Sequence, residues 1–320
     1  MKRIAVLTSG GDCSGMNATI RAVVRSGLCA GLDVVGIKKG YRGLIDRDYF
    51  MMNTKSVSNT LQRGGTFLQS ARCKEMMETA GQDVAANNLK GMGVEGLVVI
   101  GGDGSMRGAK TLMDRGIKVI GIPASIDNDI PFTDMSLGVD TALNNIIYAV
   151  DCLKDTASSH DRAFIVEVMG RNCGYLTLVA SIACGAEHAL IPEVPYNIGD
   201  ICENLRKRYR EGRDNSIIMV AEGVASAQEI SEQIKHHIRF ESRIMVLGHY
   251  QRGGSPTSFD RLLGSRFGQG SVEALLNGES GKMVGLSGNH LQFTEFDKIF
   301  NAPMRPLNEN MVKLAHKLDI

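Results

Sequence analysis

The chain has 320 residues, 43% of them apolar, which is enough to bury two cores of ordinary size. Its 36 Lys and Arg nearly balance 35 Asp and Glu, excluding the basic excess of a protein that coats nucleic acid and the acidic excess of a disordered tail. Any anion site is therefore expected to be local. The start "MKRIAVLTSGG" is basic, but its apolar run is too short for a signal peptide, and no stretch reaches the roughly 18 apolar residues of a membrane helix. The expectation is a soluble, cytoplasmic protein that engages neither membrane nor nucleic acid.

In chain order, the short β-branched runs "RIAVLT", "DVVGIK", "GLVVIGG", "KVIGIP", "AFIVEVMG", "ALIPEV", "SIIMVAEG" and "RIMVLGH" alternate with helical stretches. The helices include "NATIRAVVRSGLCAGL", "TALNNIIYAVDCLKDTASS", "DICENLRKRYREG" and "SFDRLLGSRFGQGSVEALLNG". Repeated strand–helix alternation predicts an α/β fold with mostly parallel sheets flanked by helices. A long helix beginning near Leu137 separates two βα series, so two similar lobes are expected. One comprises residues 1–138 plus about 251–301; the other comprises 139–250 plus about 302–320. In such sheets ligands gather beyond the carboxyl ends of the strands.

The unusual residues lie at those ends. "TSGGDCSGMNATIRAVV" ends its strand in Gly10 and Gly11 before a helix, which suits either a phosphate site or a tight turn. It is neither GxGxxG nor GxxxxGK[ST], which counts against a dinucleotide-dependent oxidoreductase. "VVIGGDGSMRGA" places Gly101, Gly102 and Asp103 before a helix; Asp103 is either a magnesium ligand or part of a capped βα turn. After "KVIGI" comes "PASIDNDI", with Asp127 and Asp129 two residues apart. Alone this reads as an Asx-turn. Beside two phosphate-suited turns, Asp127 reads as a general base, Asp129 as its charge neighbour or metal partner, and Ser125 as a donor to a phosphate oxygen. Arg162, Arg171, Arg243, His249 and Arg252 all stand at strand ends or turns, a pattern that suits an anionic substrate. Glu222 in "VAEGV" supplies an acceptor for sugar hydroxyls.

Seven cysteines, Cys13, Cys29, Cys73, Cys152, Cys173, Cys184 and Cys202, are an odd number without CxxC spacing and read as reduced thiols. His236 and His237 read as a solvated helix face, and HExxH is absent.

Taken together, "LTSGGDCSGMNA", "RGGTFLQSARC", "VVIGGDGS", "SIDNDI", "TASSH", "EVMGRNCGYL", "AEG" and "LGHYQRGGSP" resemble bacterial-type ATP-dependent 6-phosphofructokinase, in order from Met1 to about Gly285. The resemblance implies transfer of the γ-phosphoryl of MgATP to the 1-hydroxyl of fructose 6-phosphate by a homotetramer. It assigns the ATP-binding role to the first lobe and fructose 6-phosphate to the second. By position, Gly11, Arg72, Cys73, Gly102, Asp103, Gly104 and Ser105 resemble the ATP site, with Asp103 on Mg2+ and Arg72 reaching the transferred phosphate. Asp127 resembles the base. Ser125, Asp129, Met169, Gly170, Arg171, Glu222, His249 and Arg252 resemble the sugar-phosphate site, with Arg171, Ser125 and Arg72 also in the catalytic set. Arg162 and Arg243 resemble residues donated by a neighbouring subunit.

Several positions depart from the family pattern. Cys13 and Ser14 stand where Ala-Pro or Ser-Pro is usual, so a looser turn is expected. Ala124, Ser125 and Lys74 replace common Gly, Thr and Pro. The pyrophosphate-dependent subgroup commonly carries Asp at position 104 and Lys at position 124, and the small residues here favour ATP. A non-catalytic regulatory subunit that only binds sugar phosphate would be supported by loss of Asp103, Asp127 or Arg171, and all three are present. An effector site for ADP and phosphoenolpyruvate is implied at Arg21, Arg25, Lys154, Gly185, Glu187 and Arg213. Thr54, Asn59, Glu211 and Asn215 depart from its usual residues, so a weak effector response is expected.

Overall fold

The computed structural model describes residues 1–157, 162–212, 215–238 and 242–318. The chain runs β1 (Arg3–Thr8), α1 (Met16–Cys29), β2 (Asp33–Ile37), α2 (Gly40–Asp46), β3 (Tyr49–Met52), α3 (Thr79–Gly91), β4 (Gly96–Gly101), α4 (Asp103–Met113) and β5 (Lys118–Pro123). It continues through α5 (Val139–Ala157), β6 (Arg162–Val168), α6 (Tyr175–Cys184), β7 (His188–Leu190), α7 (Ile198–Arg210), β8 (Asn215–Ala221), α8 (Ala227–Ile238) and β9 (Ser242–Val246). Last come α9 (Ser258–Leu276), β10 (Lys282–Ser287), β11 (His290–Glu295), α10 (Phe296–Asn301) and α11 (Glu309–Lys317). Two compact units result. One comprises Met1–Ile126, Ile130–Thr141 and Arg252–Arg305; the other comprises Asp127–Asp129, Ala142–Gln251 and Pro306–Ile320.

The first unit holds a seven-stranded sheet of order β11-β10-β5-β4-β1-β2-β3, parallel except at its two edge pairs. β4, "GLVVIG", is buried at every position, as expected for a central strand covered on both faces. Leu97, Val99, Leu7 and Val119 pack on one face with Leu89, Met106, Leu112 and Phe296. Close packing of α1 depends on Gly27: a Cβ there would stand 2.8 Å from Val34 Cγ2 and 3.1 Å from Ile4 Cδ1. Three of these strands escape a reading of β-branched runs. β3, "YFMM", pairs antiparallel to β2, and β10 and β11 close the other edge as a hairpin around Gly288 and Asn289, with Gly288 at φ +55°.

The second unit is a parallel four-stranded sheet of order β7-β8-β6-β9. Ile165, Ile218 and Val220 pack against Leu205 of α7 and Ile230 and Ile234 of α8. β7 covers His188–Leu190 and shares only Ala189 and Leu190 with the expected "ALIPEV", ending before Pro192, which has no N–H to give a ladder.

Candidate active site

In the first unit, β1, β4 and β5 lie side by side and in parallel, so three loops leave the sheet together. Ser9 donates its N–H to Ile100 O at 2.9 Å, and Ala124 donates to Gly101 O at 2.9 Å, extending the ladder into the loops. Gly101 must be glycine: a Cβ would meet Ser105 Oγ and Ser9 O, each at 2.4 Å. Gly102 caps α4, whose first turn contains Asp103, Gly104 and Ser105. Unpaired N–H groups and a positive dipole end thus face the space beyond the sheet. A Cβ added at Gly104 would have nothing within 4 Å.

The segment bearing Arg72 and Cys73 is brought to this cradle by side-chain hydrogen bonds. Thr8 Oγ1 donates to Gln69 O at 2.9 Å, and Ser70 Oγ donates to Gly10 O at 2.6 Å. Arg72 is exposed, and the Cys73 thiol donates to Glu75 at 3.5 Å, its pKa raised chiefly by burial. Arg252 crosses the first loop: its Nη1 donates to Asp12 O at 3.0 Å and would stand 2.5 Å from a Cβ at Gly11.

Asp103 pairs with Arg107 at 2.8 Å, but both side chains are more than half exposed (54% and 56%), so the pair is weak and open to exchange. Among the described residues, no group of three or more His, Cys, Asp or Glu side chains could hold a metal by itself. One carboxylate beside an open cradle suits an Mg2+ that arrives on a nucleotide, because that ion takes one or two carboxylates, waters and phosphate oxygens.

The first loop is not loose. Cys13 and Ser14 are 1% and 2% exposed, and both are hydrogen-bonded: Cys13 Sγ donates to Leu137 O at 3.3 Å and Ser14 Oγ to Gly254 O at 2.9 Å. Desolvation raises the Cys13 pKa far above the usual thiol range, with Asp260 adding to the effect, so the thiol keeps its proton and can donate. Side-chain donors thus replace the rigidity that a proline ring would supply.

In the second unit, β8, β6 and β9 are neighbours, and their carboxyl ends bring three further loops together. Glu222 N donates to Val168 O at 2.8 Å and Gly223 N to Gly170 O at 3.2 Å, setting the "AEG" turn against the "MGRNCG" turn. The fit is close: a Cβ at Gly223 would lie 1.8 Å from Arg171 O, and one at Gly170, where φ is +136°, 2.5 Å from Cys173 O. Arg171 Nε lies 3.3 Å from Glu222 Oε1. Burial first, then the charges of Glu193, Asp129 and Asp127, push the Cys173 thiol up to about 11. Asp127 and Asp129 therefore lie within electrostatic reach of the "GRNCG" turn. They flank Asn128, which is buried at φ +53°.

One residue that sequence reasoning missed is Gln251. It is 1% exposed, accepts from Met169 N at 3.2 Å and donates to Gly248 O at 3.1 Å, holding the "GHYQ" turn that carries His249 against Met169. A glutamine between a tyrosine and an arginine in a polar turn gave no sign of burial. Ser125 is half-buried, whereas Arg243 on β9 and His249 are exposed. The Arg162 side chain and Arg213 lie outside the described residues.

The effector-type residues are distributed over both units. Arg21 and Arg25 lie on α1 of the first. In the second, Lys154 donates to Cys184 O beside Gly185, while Glu187 accepts from Ile217 N at 2.6 Å and faces Arg208 at 3.5 Å. Glu211 caps the C-terminus of α7.

Glycine-lined strand ends facing a helix N-terminus in one unit, and arginines with carboxylates at strand ends in the other, define an α/β protein equipped for phosphorylated ligands. The phosphofructokinase family model matches residues 3–275, and the chain belongs to that family. It is 49% identical over 320 residues to the ATP-dependent 6-phosphofructokinase of Natranaerobius thermophilus, covering 100% of both chains. It is 50% identical over 322 residues to that of Staphylococcus epidermidis, again covering 100% of both. Among solved structures, Pichia pastoris phosphofructokinase in the T-state superposes with a TM-score of 0.89 at 33% identity, over 99% of this chain and 39% of that one. The pyrophosphate-dependent phosphofructokinase of Marinobacter aquaeolei superposes with a TM-score of 0.86 over 99% of this chain and 91% of that one. At 19% identity, this last likeness concerns the fold alone. Among the described residues, no helix is long and apolar enough to cross a membrane.

Proposed function

We propose that the chain is an ATP-dependent 6-phosphofructokinase that transfers the γ-phosphoryl of MgATP to the 1-hydroxyl of fructose 6-phosphate in glycolysis, in the cytoplasm. The observation that carries the choice of donor is the open space at Gly104 on the N-terminal turn of α4. Nothing stands within 4 Å of a Cβ there, so a nucleotide's inner phosphates have room that an Asp at this position would fill.

In this reading the first unit binds the nucleotide through Gly11, Arg72, Cys73, Gly102, Gly104 and Ser105, with Asp103 toward the magnesium that accompanies it. The second unit holds most of the sugar phosphate's contacts, through Asp129, Met169, Gly170, Arg171, Glu222 and His249. Ser125 and Arg252 serve the same substrate. Asp127 accepts the proton of the 1-hydroxyl as that oxygen bonds to the γ-phosphorus and the bond to the β-phosphate oxygen breaks. Arg72 and Arg171 neutralise the charge spread over the transferred group.

The working form is a homotetramer in which Arg162 and Arg243 serve a neighbouring subunit's sugar phosphate. Supporting this, β9 is an edge strand that carries Arg243 with Ile244 and Val246 exposed, beside a cavity of about 430 Å³ lined by Tyr148, Cys152, Met245 and Tyr250. The deciding experiment supplies purified protein with fructose 6-phosphate and either MgATP or Mg-pyrophosphate in a coupled assay. Turnover with MgATP is expected. Preference for pyrophosphate overturns the choice of donor, and inactivity with both overturns the catalytic reading.

A further inference from the structure

We propose that Ser14 is a positioning residue for Arg252, a role that rests on the kinase reading above. Its hydroxyl donates to Gly254 O at 2.9 Å and lies 3.3 Å from Gly253 O. Arg252, immediately before those glycines, reaches the other way, donating Nη1 to Asp12 O at 3.0 Å. The two donors point in opposite directions and lock residues 11–14 against residues 252–254.

The lock acts where the backbone is weakest. Gly253 and Gly254 are exposed, Gly254 sits at φ +88°, and paired glycines lose more conformational freedom on ordering than any other dipeptide. An arginine on such a hinge would have to be ordered at each encounter with an anionic substrate; the Ser14 hydrogen bond orders it beforehand.

The surroundings give Ser14 a fixed base. Asn17 Nδ2 donates to Arg63 O and Gly64 O, each at 3.0 Å, and its Oδ1 accepts from Phe67 N at 2.9 Å. Gly64 in turn packs on Gly254, since a Cβ at Gly64 would lie 2.1 Å from Gly254 O. Next to Ser14, the Cys13 thiol holds Leu137 O, and Leu137 N donates to Pro123 O at 3.0 Å. That closes the neck of the loop bearing Ser125, Asp127 and Asp129. A proline at position 14 would offer no donor, so the hook depends on the Ser14 hydroxyl.

The test is Ser14→Ala, alone and combined with Arg252→Ala. Alone, it should raise KM for fructose 6-phosphate about three- to tenfold, the range expected for one neutral hydrogen bond, and leave KM for MgATP within about twofold. In the Arg252→Ala background it should raise the sugar-phosphate KM no further, because the residue through which it acts is gone. Hydrogen exchange of the peptide spanning residues 250–257, measured without substrates, should quicken in Ser14→Ala. An unchanged KM for fructose 6-phosphate, additive effects, or unchanged exchange overturns the proposal. Because the exchange measurement needs no turnover, it still decides the tether if the wild type transfers no phosphoryl group, an outcome that would strike the kinase reading instead.

Discussion

Tyr41 donates its hydroxyl to Ser105 O at 2.6 Å from a ring buried against Gly108, where a Cβ would stand 2.8 Å from the ring carbons. The contact fixes the first turn of α4 from behind, leaving its other side, at Gly104, open.

Gly104→Asp should therefore fold normally, because the new side chain meets nothing in the protein. Placing a carboxylate where phosphates bind costs several kcal/mol, so KM for MgATP should rise at least about tenfold. Steady-state kinetics with varied MgATP checks this, and a wild-type value would refute the steric argument for the donor.

Asp127→Ser should lower kcat by about 10²–10⁴-fold, with fructose 6-phosphate binding largely retained, because only the proton acceptor is removed. Near-normal kcat in a correctly assembled variant would take the base role from Asp127.

If Arg243 serves a neighbouring subunit, Arg243→Ser should raise KM for fructose 6-phosphate strongly, as a charge-assisted contact contributes roughly 1.5–3 kcal/mol. Mixed oligomers of Arg243→Ser and Asp127→Ser subunits should regain part of the activity that each lacks. No recovery in verified mixed oligomers would mean that each site is built from one chain.

Regulation by ADP and phosphoenolpyruvate should be weak. The exposed Thr54 offers no cation, Glu211 adds a negative charge at the end of α7, and Glu187 is already engaged by Ile217 N and Arg208. An effector shifts an equilibrium only by its differential affinity, so the response should move to higher concentration, and Thr54→Arg with Glu211→Lys should strengthen it. Titrating phosphoenolpyruvate against the fructose 6-phosphate saturation curve decides; strong inhibition at sub-millimolar effector in the unmodified chain would contradict the expectation.

Asp260 is fully buried and accepts from Gly138 N at 2.9 Å, Thr141 N at 2.8 Å and Thr141 Oγ1 at 2.5 Å, capping the start of α5. Its replacement by Ala should cost about 3–5 kcal/mol, read from urea unfolding. Burial raises its carboxyl pKa above the ordinary value despite those donors. The folded state thus holds the proton to higher pH than the unfolded chain does. The contribution of this group to stability therefore falls as pH rises from the unfolded value of about 3.9 through the folded one, and is constant above it. The wild type should lose stability relative to Asp260→Asn over that window; a gain would reverse the sign.

The β-branched runs and their alternation with helices determined the class of fold and eight of the strands, because burial on both faces of a parallel sheet demands such runs. β3, β10 and β11 were invisible to that reading: β3 and β11 are edge strands, which need not be continuously apolar, and β10, "KMVGLS", holds a single β-branched residue and is placed by pairing with β5 and β11 on its two sides. The candidate site was legible as residue types at strand ends: glycines where backbone must approach a phosphate, carboxylates and arginines where charge must be handled. Which of them meet was a matter of tertiary structure. That Cys13 and Ser14 tie a loop rather than loosen it depends on carbonyls at Leu137 and Gly254, far away in the chain. The burial of Gln251 and Asp260 depends on the segments folded over them. Local sequence sets what a side chain can donate, accept or titrate; only the fold decides what stands opposite it and how much water is excluded, and those two quantities set the strength of every polar contact in the site.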